Sequence, residues 1–295
     1  MTLTDSEYLQ VLSLCWISDD ELLLAPVDAS LRSLSLRTGE LTAREPTALK
    51  IVWRVAFDAL TDTLLVLTTE ANKWELVSLR RSGSQWVQAQ RIDACSSYRD
   101  LCYLAQCKSR IVLVGKGKTN TMYVFDVSAA HTLRKAGSVP LQSWFNEVAC
   151  SGRDGDTLVA LSHERSLTLQ RLTGFPLRLE PLAKVELTAP ILVQFYGDIL
   201  IVADFNVATQ KHDICSFRWS GNALNERKVL LEAQHSVSVS TWALVGERLA
   251  IVDWDSMDLL VYDLAYRINF GETIWLGNWP LAFQLASFTF IACSL

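Results

Sequence analysis

The stretch VLSLCWISDDELLLAPVDASLRSLSLRTGELTARE (11–45) contains the unit that decides the fold. An apolar run, LLL at 22–24, follows the polar turn SDDE at 18–21. The next segment, LRSLSLR at 31–37, alternates apolar and polar residues, as expected of a strand with one buried face. A glycine turn and the more polar ELTARE complete the unit. The stretch therefore predicts four antiparallel strands joined by short turns.

The same order of features recurs along the chain, which indicates an internal repeat. Apolar runs equivalent to LLL start at residues 22, 64, 111, 158, 199, 249 and 288. The mean interval between these starts is about 44 residues, which matches the usual length of a β-propeller blade. The polar strand comes last in each unit, as expected for the outer edge of a blade that faces water.

We therefore expect an all-β fold in which residues 1–295 form a single domain, a seven-bladed β-propeller of four-stranded antiparallel blades. The seventh blade is predicted to be incomplete, because only a few residues follow its apolar run FTFI at 288–291. Residues 2–9 are expected to pair with this blade and close the ring. Otherwise the open edge of the seventh blade would suit a strand from a partner.

The composition excludes several classes of function. The net charge of −5 disfavours nucleic acid or an anionic membrane as a partner, because phosphate binding needs an excess of Lys and Arg. No run reaches the ~18 apolar residues of a membrane span, and the N-terminus does not resemble a signal peptide. Seven scattered cysteines without a CxxC pair indicate reduced thiols. We therefore expect an intracellular protein, cytoplasmic or nuclear.

The repeat resembles the WD-repeat superfamily of propellers. FDV at 125–127 and YDL at 262–264 look like its terminal Trp-Asp dipeptide, with an aromatic residue in place of Trp. LRSLSLRTGEL at 31–41 has the same order of residue types without the acid. The motifs are degenerate: no Gly-His dipeptide occurs, and four His are too few for the superfamily's His-to-Asp relay in most blades. The resemblance implies a propeller that binds other proteins.

No catalytic or metal-binding motif is present in the sequence. It lacks a nucleophile elbow, a P-loop and a GxGxxG fingerprint. The acidic pairs Asp19-Asp20 and Asp253/Asp255 occupy predicted turns, where Asp commonly accepts hydrogen bonds from its own backbone. We therefore expect no catalytic residues, no metal and no cofactor.

Tryptophan is the most suggestive residue type, with ten copies. Several lie in or just before a predicted first strand, where the loops surround one mouth of the central channel. Exposed aromatic side chains, above all beside Arg, are favoured in protein interfaces; the alternative is that they pack between blades. The predicted partner-binding residues are Trp53, Arg54, Tyr98, Arg99, Trp144, Trp242, Trp275 and Trp279.

The leading functional prediction is a non-catalytic scaffold that binds a protein or peptide on the loop face around the channel. One alternative is an enzyme or small-ligand binder at the channel mouth, with Asp58, Asp100 or Glu147 as acid and base. Another is a structural subunit or substrate-receptor domain of a larger complex. The choice of scaffold rests on analogy with the superfamily, because a fold does not by itself define a function.

Overall fold

The computed structural model describes residues 11–280, and its regular elements are all β-strands. At several strand positions, among them 274–280, it describes the backbone alone. The ranges and positions that it leaves out between 11 and 280 are 27–29, 44–48, 50, 71–72, 84, 96–100, 108–109, 117–119, 142–144, 154–155, 222, 226, 232–238, 247, 254–257 and 265–273.

The strands form six antiparallel sheets of four strands each, and each sheet is a blade. Within every blade the strands pair in chain order, so that the first strand lies at one edge of the sheet and the fourth at the other. Blade 1 consists of β1 (Val11–Ser18), β2 (Glu21–Pro26), β3 (Arg32–Ser35) and β4 (Leu41–Ala43). Blade 2 consists of β5 (Val52–Asp58), β6 (Thr63–Glu70), β7 (Lys73–Ser82) and β8 (Gln85–Cys95). Blade 3 consists of β9 (Leu101–Cys107), β10 (Arg110–Lys116), β11 (Thr121–Val127) and β12 (Leu133–Pro140).

The second half of the chain repeats this arrangement. Blade 4 consists of β13 (Glu147–Arg153), β14 (Asp156–Ser162), β15 (Ser166–Thr173) and β16 (Arg178–Glu186). Blade 5 consists of β17 (Pro190–Tyr196), β18 (Ile199–Asn206), β19 (Lys211–Arg218) and β20 (Lys228–Leu231). Blade 6 consists of β21 (Val239–Val245), β22 (Arg248–Asp253), β23 (Asp258–Asp263) and β24 (Ile274–Pro280).

The six blades close into a ring. Each first strand contacts the first strand of the next blade, and β21 of blade 6 contacts β1 of blade 1. Each pair of neighbouring blades also shares a hydrophobic cluster, so the described residues contain six clusters for six interfaces. The cluster between blades 6 and 1 includes Trp16, Leu24 and Ala250. The side chain of Trp16 also donates a hydrogen bond from Nε1 to the carbonyl oxygen of Ala243, at 3.1 Å.

The prediction of seven blades is therefore wrong. Six of the seven apolar runs are the second strands of blades, from β2 to β22, and an apolar run marks one strand rather than a complete blade. The seventh run, at 288–291, and the proposed closing segment, 2–9, both lie outside the described residues. Blade 6 has a fourth strand of its own, β24, and the ring closes on β1 without a further blade.

The second strands lack the alternation of apolar and polar residues because both of their faces are buried. In β2, Leu22 and Leu24 pack toward blade 6, whereas Leu23 and Ala25 pack toward blade 2. All four are 0% exposed. Successive side chains of a strand point to opposite faces, so a strand between two other sheets must be apolar throughout. This explains why the runs gave the clearest repeat signal.

The predicted glycine turns join the third and fourth strands. Gly39, Gly83, Gly174 and Gly221 all have positive φ, a conformation that other residues adopt only with strain. At Gly174 a Cβ atom would also lie 3.2 Å from the carbonyl oxygen of Pro176. These turns and those between the first and second strands lie on one face of the ring, which we call the hairpin face. The opposite face carries the connections between blades, and we call it the connection face.

Candidate functional site

The first strands of all six blades surround a central channel with a volume of about 480 Å³. Each first strand is an edge strand with a single partner in its sheet. Its second backbone edge, with N–H and C=O groups outside the ladder, therefore borders the channel. Some of these groups bond to side chains of a neighbouring blade: the N–H of Val55 donates to Oγ of Ser13 at 3.1 Å. The channel thus has a polar backbone lining inside an apolar ring.

One ion pair spans the channel. Nη2 of Arg54, on β5, lies 3.1 Å from Oε2 of Glu147, on β13. These strands belong to blades 2 and 4, so the pair reaches past blade 3. Both residues lie near the start of their strands, which is the connection-face end of the channel. The Arg54 side chain is 25% exposed and that of Glu147 is 9% exposed.

The electrostatics of this pair are unequal. Burial raises the pKa of the Glu147 carboxyl above its ordinary value, even though Arg54 and the N–H of Val148 both act to lower it. That N–H donates to Oε1 of Glu147 at 3.1 Å. Burial therefore costs the ionised carboxylate more than its two partners restore. The buried Glu147 carboxylate therefore depends on the ion pair more strongly than Arg54 does, because Arg54 is in contact with water.

The acid and base pair of the enzymatic alternative is not assembled among the described residues. Asp58 lies at the last position of β5, at the hairpin-face end, whereas Glu147 lies at the first position of β13. Asp58 is fully buried and accepts hydrogen bonds from the backbone N–H of Leu60 and from Oγ1 of Thr61. Its carboxylate therefore stabilises the turn between β5 and β6. The third candidate, Asp100, lies outside the described residues.

Two of the predicted aromatic anchors pack between blades. Trp53 is half-buried, donates from Nε1 to Oγ1 of Thr69 at 3.1 Å, and lies 5.7 Å from the ring of Trp74. Trp242 is buried in the cluster between blades 5 and 6. Trp16, near the end of the first strand of blade 1, is also buried. The described aromatic residues of the first strands thus have packing roles inside the ring.

The other predicted anchors lie outside the described residues or on the outermost strand of blade 6. Tyr98, Arg99 and Trp144 lie outside the described residues. Trp275 and Trp279 lie on β24, the outermost strand of blade 6. A place for Trp279 in or just before a first strand is wrong, because this residue lies in the fourth strand of blade 6. A role of these residues in binding a partner stays a prediction.

Exposed apolar side chains concentrate on the hairpin face. Phe175, in the turn between β15 and β16, is 92% exposed, and Leu60, between β5 and β6, is 71% exposed. Leu41 and Val87 are also exposed, next to turns on the same face. Among the described residues, Val207 is the one large exposed apolar side chain on the connection face. Sequence patterns missed these residues because turn positions give no periodic signal.

A second feature of the hairpin face is a set of Arg–Asp ion pairs at the second and third strands, to which every blade contributes. Each pair joins the start of the second strand to the end of the third, except that Arg248 of blade 6 reaches Asp20 of blade 1. The pairs are Arg37–Asp20 (2.7 Å), Arg81–Asp62 (3.7 Å), Arg110–Asp126 (3.3 Å), Arg171–Asp156 (3.0 Å), Arg218–Asp198 (3.9 Å) and Arg248–Asp20 (3.3 Å).

These pairs explain the partial match to the Trp-Asp dipeptide. In blade 3 the aspartate, Asp126, ends the third strand and the arginine, Arg110, begins the second. In blades 1, 2, 4 and 5 the two charges are exchanged, so an arginine such as Arg37 stands near the end of the third strand. A sequence signal for this exchange existed, since Arg or Asp recurs at that place in each unit.

We expect Asp126→Asn to lower the free energy of unfolding by less than about 1 kcal/mol, because partly exposed ion pairs contribute little. Asp58→Ala is the comparison: it removes a buried carboxylate that accepts from the N–H of Leu60 and from Oγ1 of Thr61, and it should cost about 2 kcal/mol. Urea unfolding of both variants in low salt and in 0.5 M NaCl measures the difference. Equal losses in the two variants would show that Asp126 has a structural role beyond the ion pair.

The described residues provide no assembled metal site and no membrane-spanning helix. Within the described ranges, no three His, Cys, Asp or Glu side chains are grouped so as to hold a metal ion. Nor does any helix there have the length and apolarity to cross a membrane. Cys15, Cys150 and Cys215 are buried and form no disulfide, and burial raises the pKa of the Cys215 thiol to about 11.

No family model and no curated protein matches the sequence. Solved structures share the fold. A protein from Lactobacillus plantarum superposes with a TM-score of 0.64 at 10% identity, covering 92% of this chain and 85% of that one. The WD40 repeats of RRP9 give 0.56 at 12% identity, with 92% and 80% covered. A candidate 6-phosphogluconolactonase from Bacteroides fragilis gives 0.59 at 10% identity, with 88% and 82% covered. At these identities the likeness concerns the β-propeller fold, which hosts both scaffolds and enzymes.

Proposed function

We propose that this protein is a non-catalytic interaction scaffold that binds a protein or peptide on its hairpin face. The observation that carries the proposal is the concentration of exposed apolar side chains there. A phenylalanine that is 92% exposed, Phe175, is unusual on a surface that has no partner. Tight turns on a rigid ring hold such residues in place, so little conformational entropy is lost on binding.

The surroundings of these residues also suit a partner. Ion pairs such as Arg37–Asp20 and Arg218–Asp198 satisfy much of the local charge and supply a polar rim. The loop face around the channel that the sequence favoured is the connection face, and it remains the alternative surface. Two observations weigh against it: Trp53 and Trp242 are engaged between blades, and Arg54 is engaged by Glu147. A place in a larger intracellular complex is compatible with either surface.

The test is the single substitution Phe175→Ser, with Leu60→Ser as a second site on the same face. We expect recovery of the partner by the immobilised protein to fall at least about tenfold with Phe175→Ser, as for an aromatic hot spot. Both residues are exposed, so stability should change by less than about 0.5 kcal/mol. Quantitative mass spectrometry of captured proteins gives the readout, with thermal unfolding as the check on folding.

The matched control is Val207→Ser, which removes an exposed apolar side chain from the connection face. The capture of partners by this variant should equal that of the wild type. The opposite pattern, with partners lost by Val207→Ser and kept by Phe175→Ser and Leu60→Ser, would contradict the hairpin face. Partners lost with Trp53→Ala alone, at unchanged stability, would favour the loop face instead.

A further inference from the structure

Two arginines share one carboxylate where blades 3 and 4 meet on the hairpin face. Nε of Arg110 and Nη2 of Arg134 lie 3.3 and 3.4 Å from the two carboxylate oxygens of Asp126. Nη1 of Arg110 also donates to Oγ1 of Thr157, on blade 4, at 3.0 Å. Arg110 is thus fixed between the two blades, whereas the Arg134 side chain is 84% exposed. One carboxylate cannot neutralise two guanidinium groups, so this place carries an excess of positive charge.

The turn that carries Phe175 packs against the same pair of blades. Leu177 lies so close to β12 of blade 3 that a Cβ atom at Gly137 would be 2.7 Å from its Cδ1. The turn between β15 and β16 is therefore held on the outer strand of the neighbouring blade. Arg178, the first residue of β16, is 72% exposed and pairs with Glu180 at 3.2 Å. An exposed aromatic side chain and exposed guanidinium groups thus occur together at this blade boundary.

Phe175, Arg110, Arg134 and Arg178 together form a surface that we call the basic corner. Its charge is opposite in sign to that of the whole chain, which has a net charge of −5. Across the ring, where blades 6 and 1 meet, the hairpin face has the opposite balance. Acidic side chains outnumber arginines there: Asp19, Asp20, Glu21 and Glu40 lie near Arg37 and Arg248. An acidic partner is therefore attracted to the side of the face that carries Phe175 and repelled from the other side.

We propose that the hairpin face binds an acidic peptide segment that contains an aromatic or other large apolar residue, an inference that rests on the proposed scaffold function. The apolar residue packs on Phe175, and carboxylates of the segment pair with Arg134 and Arg178. Within the described part of the chain, Nε and Nη1 of Arg134 have no hydrogen-bond partner. A carboxylate can therefore bind there while Arg134 keeps its pair with Asp126, and no buried ion pair has to break. The turns that border the basic corner are described in full.

Selection from a display library of short random peptides on the immobilised protein tests this partner chemistry. We expect the selected peptides to be enriched in Asp and Glu and to contain an aromatic residue or Leu. For a selected peptide, Arg134→Gln combined with Arg178→Gln should weaken binding at least about tenfold. Arg37→Gln, the matched control on the far side of the face, should change the affinity by less than about twofold. Fluorescence polarisation gives the dissociation constants, which should rise with NaCl concentration.

The outcomes separate this inference from the proposed function. Peptides that bind through Phe175 but show no acidic preference, or that are unaffected by the double substitution, would overturn the acidic partner and leave the hairpin face as the binding surface. Peptides that bind Phe175→Ser as tightly as the wild type would contradict both. Selection of no peptide would overturn this inference, while the capture of whole proteins would still test the hairpin face. Tighter binding of single-stranded oligothymidylate, lost in the double variant, would assign the basic corner to nucleic acid instead. Thermal unfolding checks that each variant is folded.

Discussion

Leu24→Ala is expected to lower the free energy of unfolding by about 3 kcal/mol, as large as the loss from Leu65→Ala. Leu24 packs between blades 1 and 6, and Leu65 packs between blades 2 and 3. Both side chains are 0% exposed, so both substitutions remove the same apolar volume and leave a cavity. Equal losses would show that the interface between blades 6 and 1 contributes as much stability as the interface between blades 2 and 3, as expected of a ring that closes at blade 6. Chemical unfolding followed by tryptophan fluorescence gives the two values.

Leu60→Ala is the control for this comparison, because it removes the same atoms from an exposed turn. Its effect should stay within about 0.5 kcal/mol. A nearly neutral Leu24→Ala beside a costly Leu65→Ala would contradict a closed ring of six blades. The interface between blades 6 and 1 would then contribute no stability, and a further element would have to cover β1.

The strands could be predicted from the sequence because their signals are local. A second strand such as β2 is buried on both faces and therefore contains the apolar run LLL. The segment LRSLSLR at 31–37 alternates apolar and polar residues, as a strand with one buried face does. Glycine at 39 marks the turn that follows, and its φ of 69° is the reason. The number of blades is not local. It depends on which strands meet when the ring closes, and an extra apolar run was enough to give seven instead of six.

The candidate site could be predicted only in part. The sequence points to Arg54 because it follows Trp53, but it gives no sign of the ion pair with Glu147, which is 93 residues away on a blade that is not adjacent. A contact across a ring depends on the number of blades and cannot be obtained from spacing. A β-bulge adds to the difficulty: the register of β5 with β6 shifts between Val52 and Arg54. The shift breaks the period of two just where Trp53 was expected to face outward.

The Arg–Asp pairs of the hairpin face show a signal that was present but misread. The acid of FDV at 125–127 resembles that of the Trp-Asp dipeptide, while the segment LRSLSLR at 31–37 ends in Arg37 and has no acid there. The structure gives both residues the same task, since each is one half of an ion pair between second and third strands. The positions of Arg and Asp are exchanged from one blade to another, but the ion pair is kept. Comparing units by charge pair, rather than by residue identity, would have found it.

Arg54→Gln should be the more damaging of the two substitutions in the channel, at a cost of about 3 kcal/mol near neutral pH. It leaves the buried Glu147 carboxylate without its cation, and buried charges are costly when unpaired. Glu147→Gln should stay within about 1 kcal/mol of the wild type. The Arg54 that it leaves behind is in contact with water, and a neutral amide avoids the desolvation cost of a carboxylate.

The dependence on pH tests this explanation, because a protonated Glu147 needs no cation. Burial raises the pKa of Glu147 in the folded protein above its value in the unfolded chain, so the folded state binds more protons between these two values. The wild type should therefore lose stability relative to Glu147→Gln as the pH rises from the ordinary carboxyl range through the raised pKa. Without Arg54 the pKa of Glu147 rises further, so the penalty of Arg54→Gln should shrink as the pH falls from that higher pKa toward the raised pKa of the wild type. A penalty that is constant with pH would show that Arg54 stabilises the ring by packing, and that its charge is not what Glu147 requires.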